Sequence, residues 1–341
     1  MKKRIIALVA SLLILVICII FLGQLTRPKY TDNAEGALIA EYYDAAGNND
    51  LIFVGDCEVY ESFVPPLLWE KYGISSYIRG SAQQLPWQSY YILEETFKYE
   101  SPKAVVFNVY SLKYGTPQNE AYNRMTLDGM KWSSSKADAI KASMTDEESF
   151  IEYVIPLLRF HSRISELNRD DFKYMFSTPE VSHNGYLMQT SVVPMEERDI
   201  MEPRELLDYT LPQKAMEYLD KMRELCEENG SELILVKAPT NSWAYWWYDE
   251  WNTRVEEYAK AHDLAYYNFI PEADEMGIDM STDTYDGGLH LNVYGAEKLT
   301  DHFGQILAEK HGFDCKKGKD PELDKAWNER VEKYYDDKNG E

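Results

Sequence analysis

The segment Leu51-Ile-Phe-Val-Gly-Asp-Cys57 is an apolar run that ends abruptly in a glycine, an acid and a thiol. Four bulky apolar residues stopped by glycine have the length and composition of a buried strand. The following Glu58–Tyr72 segment has helical character, with the Pro65-Pro66 pair disturbing its middle. Cys57 is therefore expected at a strand-to-helix turn.

The same alternation continues outward from this segment. Ser75–Ile78, Ala104–Tyr110, Glu232–Val236 and Ala265–Phe269 have strand character. Helices are expected at about Pro86–Tyr99, Pro212–Asn229, Glu250–His262 and Val293–Lys310, the second and last stopped by Gly230 and Gly312. Strands separated by helices of this length predict an α/β fold with a central parallel sheet covered on both faces. Residues 115–205 interrupt the rhythm with helical stretches (Ser134–Ser143, Asp146–Leu158) and a polar segment, Ser177–Glu197. They are expected to form a mainly helical insertion serving as a cap or partner surface. The boundaries follow: an anchor at 1–28, a linker at 29–47, the α/β domain at 48–312 and a charged tail at 313–341, either a solvated helix or disordered.

Residues Ile5 to Leu25 carry no charge, enough to cross a hydrocarbon core that needs about 20 residues. A cleaved signal peptide is the rival reading. Its apolar region is usually about 7–15 residues with a small-x-small cleavage site, and Leu22-Gly23-Gln24-Leu25 fits that poorly. Lys2, Lys3 and Arg4 favour a cytoplasmic N-terminus, which implies a single-pass plasma-membrane protein with its main domain outside. The net charge of -23 becomes more negative once these three residues are set apart. Nucleic acid, whose phosphates call for a basic face, is excluded as a partner. An acidic domain gains nothing from anionic lipid, so the anchor is expected to be the sole membrane contact. The four cysteines make no disulfide framework, and a Cys226–Cys315 bridge remains open.

In an open parallel sheet, ligands bind at the carboxyl ends of the strands. Cys57, Gly80, Asn108 and the Lys237–Asn241 segment lie at such ends, and Asp286-Gly-Gly-Leu-His290-Leu-Asn292 enters the last helix. Cys57 is the candidate nucleophile, His290 the candidate base and Asp286 the residue that would orient its ring. Gly80 and Asn108 are candidate oxyanion donors. The bland alternatives are a buried structural cysteine, a turn glycine and a strand-end asparagine. His161 is the reserve base. No two histidines stand at ligand spacing, so neither a metal nor another cofactor is expected. The run Trp243-Ala-Tyr-Trp-Trp-Tyr-Asp-Glu-Trp251 suits sugar rings, a protein interface or a packed rim.

Together these residues resemble the SGNH/GDSL hydrolase superfamily. Gly55-Asp56-Cys57 is similar to its Gly-Asp-Ser block, Gly80 to its second-block glycine, Asn108 to its third-block asparagine, and Asp286/His290 to its last block. The likeness covers about residues 48–113 and 208–311. It looks closest to the membrane-anchored proteins of D-alanyl transfer to teichoic acids, through Cys57-Glu58, Gly80-Ser-Ala-Gln-Gln84 and Pro239-Thr-Asn241-Ser-Trp243. The resemblance implies a flavodoxin-like three-layer α/β/α sandwich and substrate contacts from Gln84, Asn241 and Trp243. It also implies a cell-envelope polysaccharide or teichoic-acid-like acceptor and a membrane-bound O-acyltransferase as partner. Three departures stand: cysteine replaces serine, Asp-x-x-His has become Asp286-x-x-x-His290, and Asn108 lacks the Gly-x-Asn-Asp setting. Gly287-Gly288 could absorb the added residue through a bulged turn, and Asp283 is a substitute partner for His290. An acyl esterase or acyltransferase is expected; the alternatives are an inactive glycan- or partner-binding descendant and an assembly scaffold.

Overall fold

A computed structural model describes residues 2–31, 33–196 and 203–340. Residues 197–202, inside the expected insertion, lie outside the described set. Five strands form one parallel sheet in the order β2-β1-β3-β4-β5: β1 (Leu51–Gly55), β2 (Ser76–Gly80), β3 (Ala104–Asn108), β4 (Glu232–Lys237) and β5 (Ala265–Asn268). All residues of β1, β2 and β3 are buried, which is why β1 and β3 read as apolar runs rather than as alternation; β2 buries the polar Ser76 and Arg79 as well.

Fourteen α-helical segments accompany the sheet among the described residues. In chain order they are α1 (Lys2–Thr26), α2 (Leu38–Glu41), α3 (Cys57–Tyr60), α4 (Pro65–Tyr72), α5 (Pro86–Thr96), α6 (Glu120–Leu127), α7 (Ser134–Ser143), α8 (Phe150–Val154), α9 (Pro156–Phe160), α10 (Arg169–Lys173), α11 (Gln213–Glu228), α12 (Asp249–Ala261), α13 (Val293–Lys310) and α14 (Pro321–Asn339). Odd and even residues of β1 serve two cores. Leu51 and Phe53 join Leu67 and Leu68 of α4 and Leu299 and Phe303 of α13. Ile52 and Val54 join Ile92 and Leu93 of α5 and Leu219 and Met222 of α11.

The expected Glu58–Tyr72 helix is two helices. Pro65 and Pro66 occupy the first turn of α4, where their missing N–H groups cost nothing, so the prolines start a helix instead of bending one. The third strand stops at Asn108 and continues as a 3-10 turn, Val109–Lys113. All four cysteines are free, so no 226–315 bridge forms.

Two segments expected to be peripheral are parts of the fold. In the expected linker, Leu38, Ile39 and Tyr42 are wholly buried. The Glu41 carboxylate accepts hydrogen bonds from the Val181 and Ser182 amides and the Ser182 hydroxyl. In the tail, α14 buries Trp327 and Tyr334; Trp327 stacks on Trp69 of α4 with centroids 5.5 Å apart. The tail's charge masks an apolar stripe of two aromatics seven residues apart, which falls on one helical face.

Removing a buried tryptophan side chain typically costs about 3–5 kcal/mol. Trp327→Ala is therefore expected to destabilise the whole domain by that amount in urea unfolding. A change of a few tenths would mean that α14 is a loosely attached appendage.

Candidate functional site

The sheet order reverses direction at β1: β2 pairs on one side and β3 on the other. A crevice outside the carboxyl ends of the strands is the normal consequence of such a switch point. Gly55 closes β1 with φ +150, and a Cβ there would come within 2.5 Å of Val59 Cγ2, so the turn requires glycine. Asp56 then caps α3 by accepting the Glu58 N–H at 3.2 Å, and Cys57 opens the helix. Gly80, in register with Gly55, packs so closely that a Cβ would sit 3.2 Å from Gly55 O.

His290 arrives from the loop before α13. Asn292 caps that helix by accepting the Tyr294 and Gly295 amides, and its own amide ties down the Thr282 and Thr284 carbonyls. Gly287 and Gly288 both take positive φ, and Asp286 folds back onto His290. The carboxylate accepts the His290 backbone N–H at 2.8 Å through Oδ1 and meets Nδ1 at 2.6 Å through Oδ2. Asp283 does not reach the ring; it is buried against the Asp279 amide and the Lys298 ammonium. With Nδ1 held by Asp286, the proton-accepting position left on the ring is Nε2, which is buried and makes no hydrogen bond.

Cys57 faces this imidazole. Burial pushes the thiol up to about 11, while the neighbouring His290 pulls in the opposite direction. Burial would by itself lower the pKa of His290, but the Cys57 sulfur, the Asp286 hydrogen bond and Glu61 outweigh it and hold the ring well above its ordinary value. The closed resting state is thus a neutral thiol beside a readily protonated imidazole.

Three further groups in this site escaped sequence reasoning. The Tyr245 hydroxyl is 3.1 Å from Cys57 Sγ, and its ring meets His290 edge-on at 4.9 Å. Tyr285 stacks on the imidazole with centroids 5.9 Å apart, and its hydroxyl donates to Glu61 Oε1 at 2.7 Å. Glu61 Oε2 lies 3.4 Å from His290 Nδ1 and is buried without a hydrogen-bond partner. Glu61 is four residues after Cys57, a spacing that could have flagged a shared helical face. Tyr245 could be suspected only as one member of the aromatic run. Together the tyrosine and the chain around it leave Cys57 only 6% exposed.

Beneath the thiol lies a second layer. Glu58 turns away from Cys57 and takes both oxygens to Lys237 Nζ at 2.8 Å, a wholly interior ion pair. Asn108 donates to Asp56 at 3.2 Å and to Glu58 at 2.9 Å, and accepts the Ala238 amide. Both amide hydrogens are engaged in this layer, so Asn108 offers no free donor to an oxyanion here. Burial and the neighbouring Glu58 push Asp56 up to about 7 against the pull of Lys237.

The expected substrate contacts are not gathered at the thiol. Gln84 is wholly buried and donates to Arg79 O of β2 and Ser89 Oγ of α5, the elements on either side of its loop. Asn241 is exposed and linked to the site only through its backbone N–H, which donates to Gly288 O at 3.0 Å. Trp243 stands on the surface, 56% exposed. His161, the reserve base, is exposed and distant in role, its Nδ1 paired with Leu158 O. No protein-family model and no curated protein sequence matches the chain.

Burial pushes the carboxyls of Glu41, Asp56 and Glu61 each up to about 7. Unfolded, a glutamate releases its proton near 4.5, so between that pH and 7 the unfolded state holds fewer protons and stability falls as pH rises. Glu61→Gln keeps an acceptor for Tyr285 and removes one of the three ionisations. The stability loss from pH 4.5 to 7 in urea titrations is expected to be smaller in this variant than in the wild type. An unchanged slope would mean that Glu61 is already ionised in the folded protein.

Proposed function

We propose that this chain is a membrane-anchored extracellular acyl esterase or acyltransferase of the SGNH/GDSL type, working through Cys57, His290 and Asp286. The observation that carries the reading is the carboxylate-held imidazole beside a thiol at a strand-to-helix turn. The strand order β2-β1-β3-β4-β5 is also the flavodoxin-like doubly wound order, and two helical layers over it would make the three-layer sandwich of that superfamily. The helix Lys2–Thr26 is long and apolar enough to span a membrane. The basic start of the chain favours a cytoplasmic N-terminus and places the α/β domain outside.

In this mechanism Cys57 Sγ attacks the carbonyl carbon of an ester as its proton passes to His290 Nε2. Asp286 holds the tautomer and stabilises the imidazolium. The leaving oxygen takes that proton as the tetrahedral intermediate collapses to a thioester on Cys57. A polysaccharide or polyol hydroxyl, or water, then gives its proton to His290 and attacks the thioester, and the thiol is restored. With Asn108 committed to Asp56 and Glu58, the backbone N–H of Cys57 at the start of α3 is the donor for the oxyanion, next to Gly80. Tyr245 must leave Sγ before any acyl group reaches it. A cell-envelope polymer as acceptor and a membrane-bound O-acyltransferase as acyl donor suit an anchored outer domain.

A second reading has its own observation. A thiol that is protonated, capped by Tyr245 and nearly inaccessible also suits a binding protein that has lost catalysis. Incubating the full chain in detergent with an activated acyl ester separates the two. The enzyme reading expects a single acyl adduct by intact mass that is absent in Cys57→Ala. No adduct, with the same ester turnover in wild type and Cys57→Ala, would leave the binding reading standing.

A further inference from the structure

The apolar part of α1 ends where the helix enters the domain. Residues 5–22 span about 27 Å at 1.5 Å per residue, close to the hydrocarbon thickness of about 30 Å. The most apolar 18-residue stretch of α1 has no buried residue, whereas Gly23, Leu25 and Thr26 are buried. At Gly23 the neighbours are Pro156 and Leu157 of α9, the nearest atom 3.5 Å from where a Cβ would stand. Arg163 donates to the Thr26 carbonyl at 2.6 Å and pairs with the buried Asp171 at 3.1 Å. The helix and residues 150–176 are thus joined at the level where a bilayer surface would lie.

That segment is unlike the rest of the chain. Residues 150–176 contain four basic and four acidic residues, and so are neutral within a protein of net charge -23. They also leave large apolar side chains uncovered: Ile151, Val154, Leu158, Ile164, Phe172 and Phe176 are between 44% and 81% exposed. Short helices with this density of exposed apolar groups are hard to keep in water. Tyr153, Phe160 and Asp171 face inward, so the uncovered residues are not simply a core left open.

We propose that α8, α9 and α10, with the turns between them, lie in the interface of the same bilayer that α1 crosses, making a second membrane contact beside the anchor. The inference rests on the reading of α1 as a membrane span. Absence of net charge lets the segment approach an anionic headgroup layer that would repel the remainder of the domain, and aliphatic and phenyl side chains supply the insertion. The expectation that the anchor alone touches lipid is replaced by a two-part contact that would fix the tilt of the α/β domain. With that tilt fixed, the height of the Cys57 site above the membrane would also be fixed, as transfer from a membrane-bound donor needs.

The test uses the full chain reconstituted in vesicles of phosphatidylglycerol and phosphatidylethanolamine. Nitroxide labels are placed one at a time at Ile151→Cys, Ile164→Cys and Phe176→Cys in a Cys18→Ser, Cys57→Ser, Cys315→Ser background. Asp138→Cys in the same background is the aqueous control. The native Cys18, labelled in Cys57→Ser, Cys315→Ser, reports on α1 itself. Collision with oxygen relative to a water-soluble nickel chelate is expected to be several-fold higher at the three apolar sites than at Asp138→Cys, approaching that at Cys18. Water-like values at all three with a lipid-like Cys18 would overturn the interfacial contact and leave the anchor intact. Shielding from both agents would mean that protein covers this face, which also overturns the proposal. A water-like Cys18 would remove the membrane span and the inference with it.

Discussion

The buried ion pair between Glu58 and Lys237 is the constraint on which the arrangement of the site depends. It joins the turn after β1 to the end of β4, and Asn108 at the end of β3 completes the link. A charge that far from water is tolerated only with a partner and further hydrogen bonds; losing one member of such a pair costs about 3–5 kcal/mol. Three strand ends are thereby held at one level, and Cys57 is placed immediately above them. Asp56 serves both layers, capping α3 and accepting from Asn108.

Above this base the site is crowded with acids. Asp286 and Glu61 both approach His290 Nδ1, while Tyr245 caps the sulfur. Carboxylates on one side of an imidazole raise its basicity, and burial on the other side keeps the thiol protonated. Both effects favour the protonated forms of Cys57 and His290 in the closed state. Opening of Tyr245 would admit water or substrate, reduce the burial penalty and let the thiol ionise more easily. The same lid that makes the site look inert would therefore govern its reactivity.

The sheet was legible in the sequence because parallel strands buried on both faces appear as uninterrupted apolar runs, as Leu51–Val54 and Ala104–Phe107 do. The Asp286–His290 contact was legible because it is local, closed by two glycines within one loop. The contacts of Glu61, Lys237 and Tyr245 were not. Each acts on a residue far away in the chain; Tyr245 meets Cys57 across 188 positions. The interior role of α14 was hidden for a different reason. Two buried aromatics in a helix of mostly charged residues give a weak amphipathic signal, yet Trp327 and Tyr334 suffice to dock it. Leu38 and Ile39 were similarly short of the length at which periodicity can be recognised.

The most direct measurement of the central claim is the pH dependence of Cys57 alkylation by iodoacetamide in the full chain, compared with His290→Ala. If the two residues act as one nucleophile–base couple, the wild-type rate should rise along a limb whose midpoint lies above 6.5, the ordinary value of a histidine that this site raises. His290→Ala should then lose on the order of 10-fold or more of that rate at pH 8, because burial raises the thiol and the imidazole that pulls it back down is gone. Equal rates and equal midpoints in the two proteins would contradict the account, leaving Cys57 an ordinary buried thiol.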